Sequence, residues 1–279
     1  MSLWFAIAAL ALVQGATEFL PVSSSGHLSL AHSLLGQGEA DVLTDVVLHF
    51  GTLLAVVWHY RDELLRTIKG FVSGVRDLAK GDREGAKANS GFMFSLYVCS
   101  GTLSTMVIAL SLKDWVEGVL RGPVLVGSML LLNGAILFSA PRHLTQTGAG
   151  EGELGAGLSL KTALLIGLLQ GIAVIPGISR SGLTITGALW LGLSGTQAAR
   201  FSFILSIPAI SGALILHLGE LAPGQQVDWG GLALGATVAA FVGTLCLRFL
   251  VGTLKRARFH HFAWYCWALG LTAVALSVR

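Results

Sequence analysis

A carboxylate, three consecutive hydroxyls and an imidazole follow one another in "QGATEFLPVSSSGHL" (14–28), as Glu18, Ser23, Ser24, Ser25 and His27. The serines end at Gly26 and lead into a short apolar piece, so one of them is a natural helix N-cap. Free backbone N–H groups and the helix dipole at such a start bind anions, phosphate most readily. Ser24 and His27 are three apart and share a face if the helix begins here. His27 is then placed to deprotonate Ser24 or a water, or to protonate a leaving oxygen. Glu18 precedes Pro21 and suits either a divalent cation or the orienting of His27.

A second stretch, "QGIAVIPGISRSGLTIT" (170–186), repeats the pattern 156 residues on. Gln14 matches Gln170, Gly15 matches Gly171, Ser23 matches Ser179, Ser25 matches Ser181 and Gly26 matches Gly182, while the prolines slip by one. At the same offset Glu18 becomes Val174, Ser24 becomes Arg180 and His27 becomes Leu183. One copy thus supplies Glu18, Ser24 and His27, and the other a guanidinium, Arg180, whose planar fork suits phosphate. Ser23, Ser25, Gly26, Ser179, Ser181 and Gly182 form the surrounding anion-binding turns. Phosphoryl transfer needs charge neutralisation and in-line placement above all, and this set offers the first. The blander alternatives are serines that only bond a carbonyl one turn back, and a Glu18–Arg180 ion pair that merely locks the two turns together. Neither explains why the Ser/Gly turn occurs twice.

The elements that must hold these groups are membrane helices. The chain has 279 residues, 53% hydrophobic and only 12% charged, where a soluble domain carries about 25% charged residues. Six segments, near 42–60, 92–112, 122–140, 200–218, 231–251 and 262–278, approach the length of a spanning helix. The two motif regions are instead broken by Gln, Pro and Gly and read as re-entrant hairpins, tolerable only where protein or a wet cavity satisfies their backbone. The 61–90 loop carries seven Lys/Arg and the 252–261 loop carries Lys255, Arg256 and Arg258, whereas the 219–230 loop has Glu220 and Asp228 with no basic residue. By the positive-inside rule the first two are cytoplasmic and the third is outside.

The expected fold is therefore an all-α polytopic membrane protein with six transmembrane helices and two re-entrant helical hairpins. It divides into two repeats, 1–141 and 142–279, inverted because each makes an odd number of crossings, with the hairpin tips meeting near the midplane. Asp45 and His49 stand i,i+4 on the first span and either line the site or pair with each other; Arg200 and Arg248 are expected to snorkel. The 61–90 loop has a helical look and suits the inner membrane surface. Trp58, Trp115, Trp229 and Trp264 fall near span ends, as an aromatic belt. Cys99, Cys246 and Cys266 lie in apolar runs and argue against a disulfide framework. No Lys or Arg precedes Arg61, which speaks against a cleaved signal.

The stretches "QGATEFLPVSSSGHL" and "PGISRSGLTI" (176–185), with the hydrophobic profile of nearly the whole chain, resemble the bacterial undecaprenyl-diphosphate phosphatase family, the bacitracin-resistance integral membrane phosphatases. The resemblance implies hydrolysis of undecaprenyl diphosphate to undecaprenyl phosphate and inorganic phosphate, recycling the carrier for cell-wall polymers at the inner membrane, with the site opening to the periplasm. Carried over by motif, Glu18 belongs to the family's (E/Q)xxxE pattern, Ser24 is the proposed nucleophile, His27 its acid/base partner and Arg180 the phosphate-binding arginine. A divalent cation, Mg²⁺ with Ca²⁺ as the alternative, is a family trait. Because Gln14 holds the first position of the pattern, Gln14 and Glu18 would need the substrate's own oxygens to bind it. Expected partners are the polyprenyl diphosphate, membrane lipids and a second copy in a homodimer, without nucleic acid. The competing readings are a transporter or flippase for a phosphorylated lipid, whose architecture favours inverted repeats, and a structural membrane subunit.

Overall fold

The computed structural model describes residues 3–34, 42–119, 122–141, 153–219 and 227–277, and among them every regular element is helical. The first part of the chain forms α1 (Leu3–Thr17), α2 (Ser24–Leu34), α3 (Val42–His59), α4 (Arg61–Ala79), α5 (Arg83–Ala88), α6 (Ser90–Val119) and α7 (Pro123–Phe138). The second forms α8 (Leu160–Ile172), α9 (Arg180–Trp190), α10 (Gly195–Gly219), α11 (Trp229–Lys255), a 3₁₀ turn (Phe259–His261) and α12 (Phe262–Ser277).

A helix stands at each of the six expected spans. Those at α6, α10 and α11 are long and apolar enough to cross a membrane alone, and α3 qualifies together with α4 across a 77° bend. The helices α7 and α12, of 16 residues each, are short for a spanning helix. At 1.5 Å per residue each covers about 24 Å of a hydrocarbon core roughly 30 Å thick. The surface is apolar: Leu103, Val107, Leu110, Phe241, Leu245 and Phe249 are all exposed along α6 and α11. Soluble monomers rarely leave such continuous apolar surface in water, and the chain is a multi-pass membrane protein.

Lipid supplies little hydrophobic drive for helix association, so close contact and small residues carry it. Helix α1 lies along α11 and α8 along α6. In both pairs a glycine makes the contact. A Cβ on Gly15 would come within 2.9 Å of the Ala239 carbonyl oxygen, and one on Gly171 within 2.6 Å of Ile108 Cβ. The repeated Gln-Gly pairs are thus helix-packing positions as well as neighbours of the site. Helix α7 meets α12 reciprocally, Gly127 against the Gly270 carbonyl and Gly270 against the Gly127 carbonyl. At the centre Phe19, fully buried, stands edge-on to Phe203 with ring centroids 5.5 Å apart.

The 61–90 loop is helical, as its pattern predicts. Gly70 and Gly74 of α4 press against Gly91 and Phe92 at the start of α6, leaving Leu65, Ile68, Val72 and Val75 exposed on another face. Arg200 departs from expectation. It is buried rather than snorkelling, 3.6 Å from Glu63 of α4, and its guanidinium also donates to Gln197. An ion pair within reach is cheaper than stretching to the headgroups.

Candidate active site

Each repeated stretch folds as helix, turn, helix, and the two turns touch. Helix α1 ends at Thr17, residues 18–23 turn, and Ser23 adopts φ 70° to reverse the chain into α2. Its hydroxyl accepts the Gly26 N–H at 3.3 Å, so Ser23 is the cap of α2. In the second copy Gly177, at φ 94°, makes the reversal, and Ser179 accepts the Gly182 N–H at 3.1 Å to cap α9. The pairs Ser23–Ser25 and Ser179–Ser181 have hydroxyls 3.3 and 3.2 Å apart. A Cβ on Gly26 would approach Gly177 Cα to 3.7 Å, which measures how closely the turns meet.

Asn133 of α7 ties the turns together. Its Nδ2 donates to the Pro21 carbonyl at 2.9 Å and its Oδ1 accepts the Ser179 N–H at 3.2 Å, with the side chain fully buried. Sequence reasoning missed this residue. The only signal was an amide standing alone in the apolar run "LLLNGAILF" (130–138).

Glu18 is the hub of the site. Its Oε2 accepts the Ser24 hydroxyl at 2.8 Å and the Gln14 amide at 3.0 Å, while Oε1 is paired with Arg180 Nη2. His49 of α3 points Nε2 at Oε2 from 3.5 Å, because its Nδ1–H is held by the Asp45 backbone carbonyl at 2.7 Å. Asp45 spends its carboxylate on His32 at 3.0 Å rather than on His49. Ser24 and Arg180 are the first residues of α2 and α9, so both stand where two helix dipoles present positive ends. Two buried atoms at this hub have no hydrogen-bond partner, Gln14 Oε1 and Arg180 Nη1. One is a spare acceptor and the other a spare donor beside the same carboxylate.

These groups face a cavity of about 370 Å³ lined by Glu18, Ser24, Ser25, His49, Ser179 and Arg180, with an apolar side from α10. Ser23, Ser181, Gly26 and Gly182 do not line it; they build the turns. Gln170, the counterpart of Gln14, also reaches the cavity, its amide donating to Thr105 and to the Leu205 carbonyl.

His27 is not brought to Ser24. Its Nδ1–H donates to the Ser23 carbonyl at 2.8 Å, leaving Nε2 to accept the Tyr265 hydroxyl at 2.7 Å. The ring stacks on Tyr265 with an interplanar angle of 8°. Sharing a helix face with Ser24 therefore does not give it contact with Ser24. The group that accepts the Ser24 hydroxyl is the Glu18 carboxylate.

The donor set also bears on a cation. Among the described residues no three His, Cys, Asp or Glu side chains cluster as a metal site. Glu18 and the unpartnered Gln14 Oε1 are hard oxygen donors of the kind Mg²⁺ and Ca²⁺ take, two ligands of at least six. Of the two, Glu18 lines the cavity and Gln14 stands fully buried behind it. They would hold a cation only when oxygens of a bound phosphate complete its shell.

The described residues are all helical with an apolar exterior, the character of an integral membrane protein, and two helix starts meet around a carboxylate and a guanidinium. Residues 7–272 match the family described as Bacitracin resistance protein BacA, and the chain belongs to that family. Its relatives include the undecaprenyl-diphosphatase of Desulfatibacillum aliphaticivorans, 38% identical over 98% of this chain and 99% of that one. The undecaprenyl-diphosphatase of Desulforapulum autotrophicum is 42% identical over 95% of each. That of a Psychrobacter species is 41% identical over 91% of this chain and 88% of the other.

Proposed function

We propose that this protein hydrolyses undecaprenyl diphosphate to undecaprenyl phosphate and inorganic phosphate in the bacterial inner membrane, recycling the carrier for cell-wall polymers and conferring bacitracin resistance. The observation that carries this reading is the Ser24 hydroxyl donating to Glu18 while Glu18 is paired with Arg180. Family membership and the undecaprenyl-diphosphatases among its relatives support the substrate.

The terminal phosphate sits on Arg180, whose unpartnered Nη1 is ready for it, and on the N-termini of α2 and α9. Glu18 takes the Ser24 proton as Oγ attacks phosphorus, and the phosphoanhydride bond breaks to release the prenyl monophosphate. Glu18 passes that proton to the departing prenyl phosphate oxygen. Water then attacks the phosphoserine, giving a proton to Glu18, which returns it to Ser24 Oγ as the Ser–O–P bond breaks and inorganic phosphate leaves. A divalent cation held by Glu18, Gln14 and substrate oxygens would neutralise diphosphate charge. His27 acts by bracing the turn through Ser23 and Tyr265.

The same reading has six spans, two re-entrant hairpins and two inverted repeats, 1–141 and 142–279, with the site open to the periplasm. Its support is that equivalent elements pack equivalently, α1 on α11 as α8 on α6, and α7 on α12 reciprocally. Purified protein with Mg²⁺ is expected to release phosphate from a long-chain prenyl diphosphate. Ser24→Ala and Arg180→Ala are each expected to lose about 10³-fold or more in kcat. Absence of release from folded wild type with any divalent cation would overturn the reading.

A further inference from the structure

A second and larger cavity, of about 790 Å³, lies behind the same turn between α1, α11 and α12. It shares no lining residue with the Glu18 cavity. Leu20, Val22, Phe249 and Phe262 give it apolar walls, and Arg256, Arg258 and His261 rim it where α11 gives way to α12. Arg256 and Arg258 are exposed and form no ion pair among the described residues. Neither α11 nor α12 can supply one, because no Asp or Glu occurs from Trp229 to the end of the chain. The one carboxylate of the α1 turn, Glu18, is committed to Ser24 and Arg180.

An apolar groove under an uncompensated cationic rim selects an amphiphile with an anionic head. A wholly apolar occupant leaves both guanidinium groups without partners, and a free inorganic anion leaves the hydrocarbon walls uncovered. Two arginines offer bidentate donors to a phosphate group, and each basic side chain near a membrane surface adds attraction for anionic lipid. We propose that the groove holds an anionic phospholipid, its phosphate on Arg256 and Arg258 and one acyl chain along Phe249 and Phe262. The proposal goes beyond the phosphatase reading and does not depend on it.

Gly252 gives a direct handle. It lines the groove, yet a Cβ there meets nothing within 4 Å. A side chain at Gly252 therefore begins in open space, and Gly252→Phe is expected to occupy the groove. Purified full-length protein in detergent is offered equimolar phosphatidylglycerol, phosphatidylcholine and a prenyl monophosphate, and bound lipid is read by native mass spectrometry. Wild type is expected to retain phosphatidylglycerol over phosphatidylcholine on the order of tenfold. Arg256→Gln with Arg258→Gln is expected to bring that ratio near one, and Gly252→Phe to remove bound phosphatidylglycerol. Arg76→Gln with Lys80→Gln, at the C-terminal end of α4, is expected to change nothing. No preference in wild type, preference intact in both groove variants, or equal loss in the α4 variant overturns the assignment. Displacement of phosphatidylglycerol by the prenyl monophosphate also overturns it, giving the groove to the reaction product instead. The two groove variants act by different routes, so misfolding of one leaves the other to decide.

Discussion

At the scale of single residues the chemistry converges on Glu18, and its two oxygens divide the work. Oε1 holds Arg180 and Oε2 holds Ser24 and Gln14. Glu18→Gln keeps the shape and removes both the base and the countercharge. We expect kcat to fall by about 10²–10⁴, with an accompanying loss of stability because Arg180 is left without its anion. Phosphate release and thermal unfolding in detergent measure the two effects. His27 makes a sharper case, because the family resemblance gives it acid/base work while its ring is engaged by Tyr265 and the Ser23 carbonyl. If it acts by bracing the turn, His27→Ala loses about tenfold in kcat, Tyr265→Phe reproduces most of that loss, and the double variant is no worse than His27→Ala. Abolition by His27→Ala together with full activity in Tyr265→Phe would return His27 to the phosphate. The distinction was not legible in the sequence. Spacing along a helix says which residues share a face, but Tyr265 arrives from 238 residues away.

The two helix starts were the most legible elements, because capping is local: Ser and Gly at fixed spacing leave the backbone few choices. The sequence left open which of Ser23, Ser24 and Ser25 caps α2. The structure assigns the cap to Ser23 and thereby frees Ser24 for Glu18. Asn133 was invisible for the opposite reason, since its partners Pro21 and Ser179 come from two distant stretches. Asn133→Ala strands the buried Ser179 N–H, leaves the Pro21 carbonyl only the weak Cys266 thiol donor, and unties the two turns. We expect a cost of about 2–4 kcal/mol from those two losses and a lower kcat, because Arg180 no longer stands fixed relative to Ser24. An unaltered melting temperature with unaltered kcat would show that the turns hold each other without it. Glycine contacts give an internal comparison at the same scale. Gly171→Ala drives a methyl to 2.6 Å from Ile108 Cβ, whereas Gly252→Ala meets open space. The first is expected to destabilise by about 1–3 kcal/mol, and the second to be neutral or to stabilise by up to about 1 kcal/mol through helix propensity.

The whole molecule tests whether charge bias and repeat describe one topology. Hydropathy marked all six helices, but among the described residues three are long and apolar enough to cross alone. Orientation rests on the Lys/Arg loops, and here the two halves make a joint statement. The proposed topology has three crossings in the first half, which would put the 61–90 loop inside, and a second half that runs reversed, which would put the start of α11 outside. An even number of crossings per half would make the repeats parallel, and one pair of equivalent turns could not oppose the other. Single cysteines in a cysteine-free background separate these cases. Arg76 of α4 and Gly230 at the start of α11 are both exposed and accept a probe. An impermeant thiol reagent on intact spheroplasts is expected to label Gly230→Cys and spare Arg76→Cys, with both labelled after permeabilisation. Labelling of both positions from outside would break the inverted arrangement. The periplasmic opening proposed for the Glu18 cavity would then fail, even if every contact within it stood.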